Sequence, residues 1–170
     1  FAVRGVVGMF SEHTQTKTAP ITTSSPAAEE SQPYVFYYKD GQAVSWEDVT
    51  DAWAAEAGIQ KRYALTDTER LEIAQVLTAE AGGEPFAGKI AVAQCILQTC
   101  EDEGIRPDEV LRVYAYSKRR PETTQEALEA VQDVFDFGIV ATAAPIKYFY
   151  APALSDSEWH ESQIYVMTIN

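Results

Sequence analysis

The sequence predicts a mixed α+β domain, with helices first and a small antiparallel β-sheet at its C-terminal end. Between about residues 67 and 137, apolar residues recur at the three- and four-residue spacing of amphipathic helices. From residue 146 the period changes to the alternation that is typical of strands, at 146–150 and 163–169. The 170 residues, of which 46% are hydrophobic, are enough for one such domain with flanking segments.

Four helices are expected in this domain, and punctuating residues set their limits. Residues 66–69, Thr-Asp-Thr-Glu, have the spacing of a capping box and predict the start of the first helix. Gly82 and Gly83 predict its end, with a glycine in the left-handed conformation. The predicted helical ranges are 67–81, 86–100, 107–114 and 122–137.

Two segments precede the domain, which we place at residues 63–170. Residues 1–33 hold Ser, Thr and Pro clusters with few large apolar side chains, so they are expected to be a disordered or linker segment. Residues 34–62 predict an accessory strand–turn–helix segment, with strands at 34–38 and 42–44 and a helix at about 45–57.

Composition excludes several classes of function. The net charge of −13 argues against nucleic acid as a partner and against an anionic membrane surface. No apolar run is long enough for a transmembrane segment. Cys95 and Cys100 lie five apart in one predicted helix, which favours free thiols over a disulfide. The two His and two Cys form no zinc pattern, and no EF-hand-like loop is present, although a carboxylate-rich calcium site stays open. We expect no metal site and no cofactor.

Glu80 is the leading candidate for a catalytic residue. It follows Ile73, Val76 and Leu77 at helical spacing, so it lies at the end of an otherwise apolar stripe. A carboxylate in that position is expected to be partly desolvated, which favours its proton-donating form. A solvated or capping role at a helix end is the more ordinary interpretation, and the residues alone leave it open.

Residues 65–170 resemble the SleB-type cell wall hydrolases, the family of spore-cortex-lytic enzymes. The resemblance rests on residues 79–93, AEAGGEPFAGKIAVA, on the aromatic loop at 114–117, and on residues 148–152, YFYAP, followed by Trp159. Two departures stand out: Gly82-Gly83 replaces the arginine that is common in the first motif, and Gln98-Thr99 replaces an Asn-Arg that commonly closes the second helix.

The resemblance implies a lysozyme-like helical domain that cleaves peptidoglycan between N-acetylmuramic acid and N-acetylglucosamine. It also implies lytic transglycosylase chemistry, which leaves 1,6-anhydro-muramyl ends, with Glu80 as general acid and base. The expected partners are peptidoglycan glycan strands, the expected state is a monomer, and the expected location is extracellular or the cell envelope. Possible substrate-binding residues are Tyr116, Ser117, Tyr148, Tyr150 and Trp159.

Further expectations concern neighbours of these residues. Strand alternation predicts Tyr148 and Tyr150 in the cleft and Phe149 on the opposite face. Glu84 is expected to support the loop beside the acid, and His160 to be a structural partner. Three alternatives stay open: a water-using muramidase in which Glu84 or a cleft Asp positions the water, a non-catalytic peptidoglycan-binding module, and an interaction domain that uses residues 34–53.

Overall fold

The computed structural model describes residues 2–5, 35–38, 43–45, 62–150 and 158–169. These ranges contain both helices and short strands, which confirms the mixed content predicted from the sequence. The helices are α1 (Asp67–Ala81), α2 (Phe86–Glu103), α3 (Pro107–Val113), α4 (Gln125–Phe135) and α5 (Glu158–Glu161). The strands are β1 (Ala2–Gly5), β2 (Val35–Tyr38), β3 (Ala43–Ser45), β4 (Ile139–Val140), β5 (Tyr148–Tyr150) and β6 (Ile164–Thr168).

Helix α1 begins and ends at the predicted residues. The hydroxyl of Thr66 accepts a hydrogen bond from the Glu69 N–H at 3.2 Å, and the Glu69 carboxylate accepts one from the Thr66 N–H at 2.8 Å. The predicted capping box is therefore present. Glu80 lies half-buried at the end of the apolar stripe. The buried residues of the helix are Ile73, Ala74, Val76, Leu77 and Ala81.

Helix α2 is the most enclosed element of the domain, and α1, α3, α4, β4 and β5 pack against it. The sequence predicted one buried side, but every residue from 87 to 97 is buried, because many of its side chains are small enough for neighbours to approach closely. The helix continues past Cys100, its predicted end, to Glu103. Gly104, with φ of 67°, then ends it in the left-handed conformation.

Both cysteines of α2 are buried free thiols, as predicted. Burial raises the pKa of the Cys100 thiol to about 11 and raises that of Cys95 further. Both side chains are therefore protonated near neutral pH, which excludes them as nucleophiles.

Helix α4 is shorter than the predicted range 122–137. It begins after Thr124, because the Thr124 hydroxyl caps it by accepting a hydrogen bond from the Ala127 N–H at 3.2 Å. It ends at Phe135, and Gly138 follows with φ of 72°. The predicted stop at Gly138 therefore marks the turn after the helix rather than the helix end.

Buried Gln94 of α2 fixes the segment that leads to β5. Its side-chain nitrogen donates to the carbonyl oxygens of Thr142 and Ala144 at 2.9 and 3.3 Å. Its side-chain oxygen accepts from the N–H groups of Ala141 and Thr142 at 2.9 and 3.3 Å. All the hydrogen-bonding groups of this buried amide are thus used, which holds the segment in one conformation.

The C-terminal strands are shorter than predicted, and within the described residues they do not pair with each other. Both β5 and β6 pair antiparallel with β1, which lies inside the range 1–33 that the sequence assigned to a linker. β2 pairs with β3, as the predicted hairpin requires, and also with β4. The lysozyme-like arrangement of the helices, with a small antiparallel sheet at the C-terminal end, stays a prediction.

Two further predictions differ from the structure or lie outside its described ranges. No helix was predicted between the strands at 146–150 and 163–169, but residues 158–161 form α5. Most of the predicted linker 1–33 and nearly all of the predicted helix at 45–57 lie outside the described residues. None of the helices in the described ranges is long and apolar enough to cross a membrane.

The ion pair between Glu69 and Arg106 predicts a loss of stability in acid. The Arg106 guanidinium donates to the Glu69 carboxylate at 2.8 and 2.5 Å, which holds the pKa of Glu69 below its ordinary value of 4.5. A carboxylate with a depressed pKa contributes stability that is present above its unfolded pKa and lost as the pH falls through its folded pKa. We therefore expect Glu69→Gln to flatten the acid side of the pH–stability curve below about pH 4.5, measured by urea unfolding. The matched control is Glu122→Gln, at an exposed carboxylate; equal acid slopes in Glu69→Gln and wild type would contradict the expectation.

Candidate functional site

Glu80 is held through one of its two carboxylate oxygens. Its Oε1 accepts a hydrogen bond from the backbone N–H of Ser117 at 2.6 Å. Its Oε2 accepts no hydrogen bond from the described residues. The carboxyl group is therefore fixed in direction, while one oxygen stays available to give or take a proton.

The loop after α3 positions the Ser117 amide. α3 starts at Pro107 as predicted but ends at Val113, one residue early. Ala115 then adopts a left-handed conformation, with φ of 55°, which costs a residue with a Cβ about 1 kcal/mol. The turn is closed by a hydrogen bond from the Tyr116 N–H to the Leu111 carbonyl oxygen at 3.1 Å.

Glu80 lines a cavity of about 440 Å³, here called the aromatic cleft. Rings form most of its remaining surface, and such rings offer flat apolar faces with polar edges to a sugar. Among the lining residues that the structure describes, Glu80 alone carries a carboxylate. The lining rings are Tyr114, Tyr116, Tyr148, Phe149, Trp159 and His160.

Of the two tyrosines predicted in the cleft from β5, only Tyr148 is among its lining residues. Trp159, 51% exposed, meets the Tyr148 ring edge-on at 4.7 Å between centroids. Tyr150 is 7% exposed, because His160 stacks on it at 4.9 Å. Phe149, predicted on the opposite face, lines the cleft. Strand alternation misplaced these rings because β5 is only three residues long and α5 was not foreseen.

Tyr116 and Ser117 contribute to the site in ways that the sequence did not indicate. Tyr116 is 8% exposed and packs against Phe149, with ring centroids 5.7 Å apart. Burial, with the nearby charge of Glu80 among other groups, raises its pKa well above the ordinary value, so its hydroxyl is protonated. Ser117 contributes its backbone N–H, while its hydroxyl accepts from the Arg119 N–H at 3.2 Å.

Lys147 and Tyr114 line the cleft and were not predicted. The Lys147 ammonium lies 3.1 Å from an Asp102 carboxylate oxygen and 3.7 Å from one of Glu103. The Tyr114 hydroxyl donates to Glu103, which raises the pKa of Tyr114 to about 12. The end of α2 thus fixes one wall of the cleft. The sequence could not predict these contacts, because a lysine just before a strand gives no indication that its partners lie in a helix much earlier in the chain.

Glu84 is not among the described residues that line the cleft, but its main chain is held by a buried lysine. Lys89 is 2% exposed, and its ammonium donates to the Glu84 carbonyl oxygen at 2.7 Å. The same ammonium forms an ion pair with Glu126 at the start of α4, at 2.9 Å. Lys89 therefore ties the turn that follows Glu80 to the body of the domain.

The predicted left-handed glycine at the end of α1 is wrong. Gly82 has φ of −61°, and the glycines with positive φ in the described residues are Gly104 and Gly138. Gly82 is required for a different reason: a Cβ there would lie 2.4 Å from the Thr78 carbonyl oxygen. At Gly83 a Cβ would meet nothing within 4 Å.

These neighbouring glycines give a matched pair of variants. Gly82→Ala should lower the free energy of unfolding by about 2 kcal/mol, because the backbone must move to relieve the contact with Thr78. Gly83→Ala should be neutral or slightly stabilising, because alanine reduces the conformational entropy of the unfolded chain and its Cβ meets no atom in the folded one. Urea unfolding of both variants measures the difference, and equal stabilities would show that the turn relaxes freely.

The described residues contain no cluster of His, Cys, Asp or Glu that could hold a metal ion. No protein-family model matches the chain. No curated protein and no solved structure with which it was compared matches it either. The function is therefore inferred from the chemistry of the site.

Proposed function

We propose that this protein is a peptidoglycan lytic transglycosylase of the SleB type, acting outside the cell or in the cell envelope. The observation that carries the proposal is that Glu80 is the single carboxylate among the described residues lining a cleft that is otherwise formed largely by rings. Hydrolases of the usual retaining or inverting kind need two placed carboxylates. A lytic transglycosylase needs one group that acts first as acid and then as base.

In the proposed reaction, protonated Glu80 gives its proton to the glycosidic oxygen between N-acetylmuramic acid and N-acetylglucosamine. The bond from that oxygen to the anomeric carbon breaks. The Glu80 carboxylate then takes the proton from the 6-hydroxyl of the same muramic acid, and the 6-oxygen bonds to the anomeric carbon. The products are a free 4-hydroxyl on the N-acetylglucosamine of the released strand and a 1,6-anhydro-muramyl end on the other strand, with no water consumed.

The arrangement around Glu80 suits this double role. The Ser117 N–H fixes one carboxylate oxygen, while the other oxygen is left for the substrate. Trp159 and Tyr148 offer exposed ring surface on which a sugar can stack. Lys147, held by Asp102 and Glu103, lines the wall of the same cleft.

The test is mass spectrometry of the products released from purified peptidoglycan by the full chain. Products lighter by one water, with 1,6-anhydro-muramyl ends, are expected. Reducing muramyl ends would overturn the transglycosylase mechanism and favour a water-using muramidase with a further group to hold the water. Binding to peptidoglycan without cleavage would favour a non-catalytic binding module.

A further inference from the structure

A second cavity of about 510 Å³, here called the basic groove, lies beside the aromatic cleft. Its lining includes Arg112, Lys118 and Arg120. The chain has a net charge of −13 with only 13 Lys and Arg, yet four of these fall between residues 112 and 120. A concentration of positive charge in so acidic a chain indicates a site for an anionic group.

The basic groove and the aromatic cleft share a wall. Ala115 and Tyr116 line both cavities. Ser117, which lines the groove, is the residue whose N–H is bonded to the Glu80 carboxylate. A ligand in the groove would thus lie next to a sugar bound at Glu80.

The positive side chains of the groove form no ion pair with Glu72 or Asp108, the two carboxylates that line it with them. Lys118 is exposed and forms no hydrogen bond or ion pair with the described residues. Arg112 is 73% exposed, and among the described residues it makes only a long polar side-chain contact, 3.4 Å, with Glu109. Arg120 is oriented by the Ser117 and Arg119 carbonyl oxygens at 2.7 and 3.0 Å, both bonded to one guanidinium nitrogen.

We propose that the basic groove binds the acidic peptide stem that muramic acid carries on its lactyl group. This inference rests on the proposed function. The stem carries free carboxylates, which Arg and Lys recognise by charge-assisted hydrogen bonds. Where it contains a diamino acid, its amino group finds partners in Glu72 and Asp108. Because the stem is attached to the sugar that undergoes the reaction, a groove that shares a wall with the aromatic cleft lies within its reach.

The experiment compares two substrates: glycan strands with their peptide stems, and the same strands after an amidase has removed the stems. On strands with stems, we expect the double variant Arg112→Ala/Lys118→Ala to lower kcat/KM about tenfold. On stripped strands it should match wild type. Arg119→Ala is the matched control, because Arg119 lies between the groove residues without being among the lining residues. The variant Arg112→Lys/Lys118→Arg, which keeps both charges, should retain most of the activity.

The outcomes separate this inference from the proposed function. An unchanged kcat/KM on strands with stems, or an equal loss on both substrates, would overturn the peptide site while leaving the transglycosylase proposal intact. A loss in Arg119→Ala as large as that in the double variant would also overturn it, in favour of general charge attraction. Failure of the wild-type protein to cleave either substrate would overturn both.

Discussion

Glu80→Gln is expected to lower the rate of peptidoglycan cleavage by about 10³-fold. Glutamine keeps the size of the side chain, and its amide oxygen can still accept the hydrogen bond from the Ser117 N–H. It has no acidic proton to give and cannot take one from a sugar hydroxyl, so both steps of the proposed reaction fail. The decrease is measured as the release of soluble fragments from purified peptidoglycan.

The variant should fold and bind as wild type does, which thermal unfolding and a peptidoglycan pull-down would check. The matched control is Glu122→Gln, an exposed carboxylate that is not among the residues lining either cavity. Glu84→Gln tests the two-carboxylate alternative: a loss as large as that of Glu80→Gln would favour a muramidase in which Glu84 positions water. Cleavage by Glu80→Gln at more than about a tenth of the wild-type rate would refute the assignment.

Lys89→Ala is expected to lower the free energy of unfolding by about 3 kcal/mol. Lys89 is 2% exposed, so its truncation leaves a cavity beside α2 and removes the donor to the Glu84 carbonyl oxygen. The effect is measured by urea unfolding. Its ion-pair partner gives a second test: Glu126→Ala leaves the buried Lys89 ammonium without this counter-ion, so it should also lower the free energy of unfolding. The loss should be smaller than that of Lys89→Ala, because Glu126 is 61% exposed and its truncation leaves no buried cavity.

Lys89→Met separates packing from hydrogen bonding. Methionine fills much of the same volume without the ammonium, so it should recover most of the stability that Lys89→Ala loses. In Lys89→Met the Glu84 carbonyl oxygen would still lack its donor, so the turn after Glu80 would not be held. We therefore expect this variant to cleave glycan strands more slowly than its loss of stability alone would explain. If Lys89→Ala were as stable as wild type, the buried lysine would not support this turn.

The parts of the fold that depend on local spacing could be predicted from the sequence. The capping box at residues 66–69, both ends of α1 and the place of Glu80 on its stripe follow from the chemistry of one short segment. The hydrogen bond between Glu80 and Ser117 could not, because it joins distant segments through the backbone. The pattern of side chains in a sequence does not indicate which backbone N–H group a loop will direct towards a distant carboxylate.

Lys89 and Tyr150 show two other limits of predicting burial from the sequence. A lysine within a helix ordinarily indicates a solvated face, and only the enclosure of α2 on all sides explains a buried one. Strand alternation predicted Tyr150 in the cleft, but the residue is buried under His160, in a four-residue helix that is too short to leave a periodic signal.

The hydrogen bond from the Ser117 N–H to Glu80 also bears on how the sequence of such a protein can change in evolution. Every amino acid except proline carries a backbone N–H, so nearly any replacement at position 117 preserves the donor that orients the acid. Natural selection can therefore vary this side chain, and with it the lining of the basic groove, without disturbing the orientation of Glu80. New substrate preferences could arise at that position while the proposed reaction is inherited unchanged.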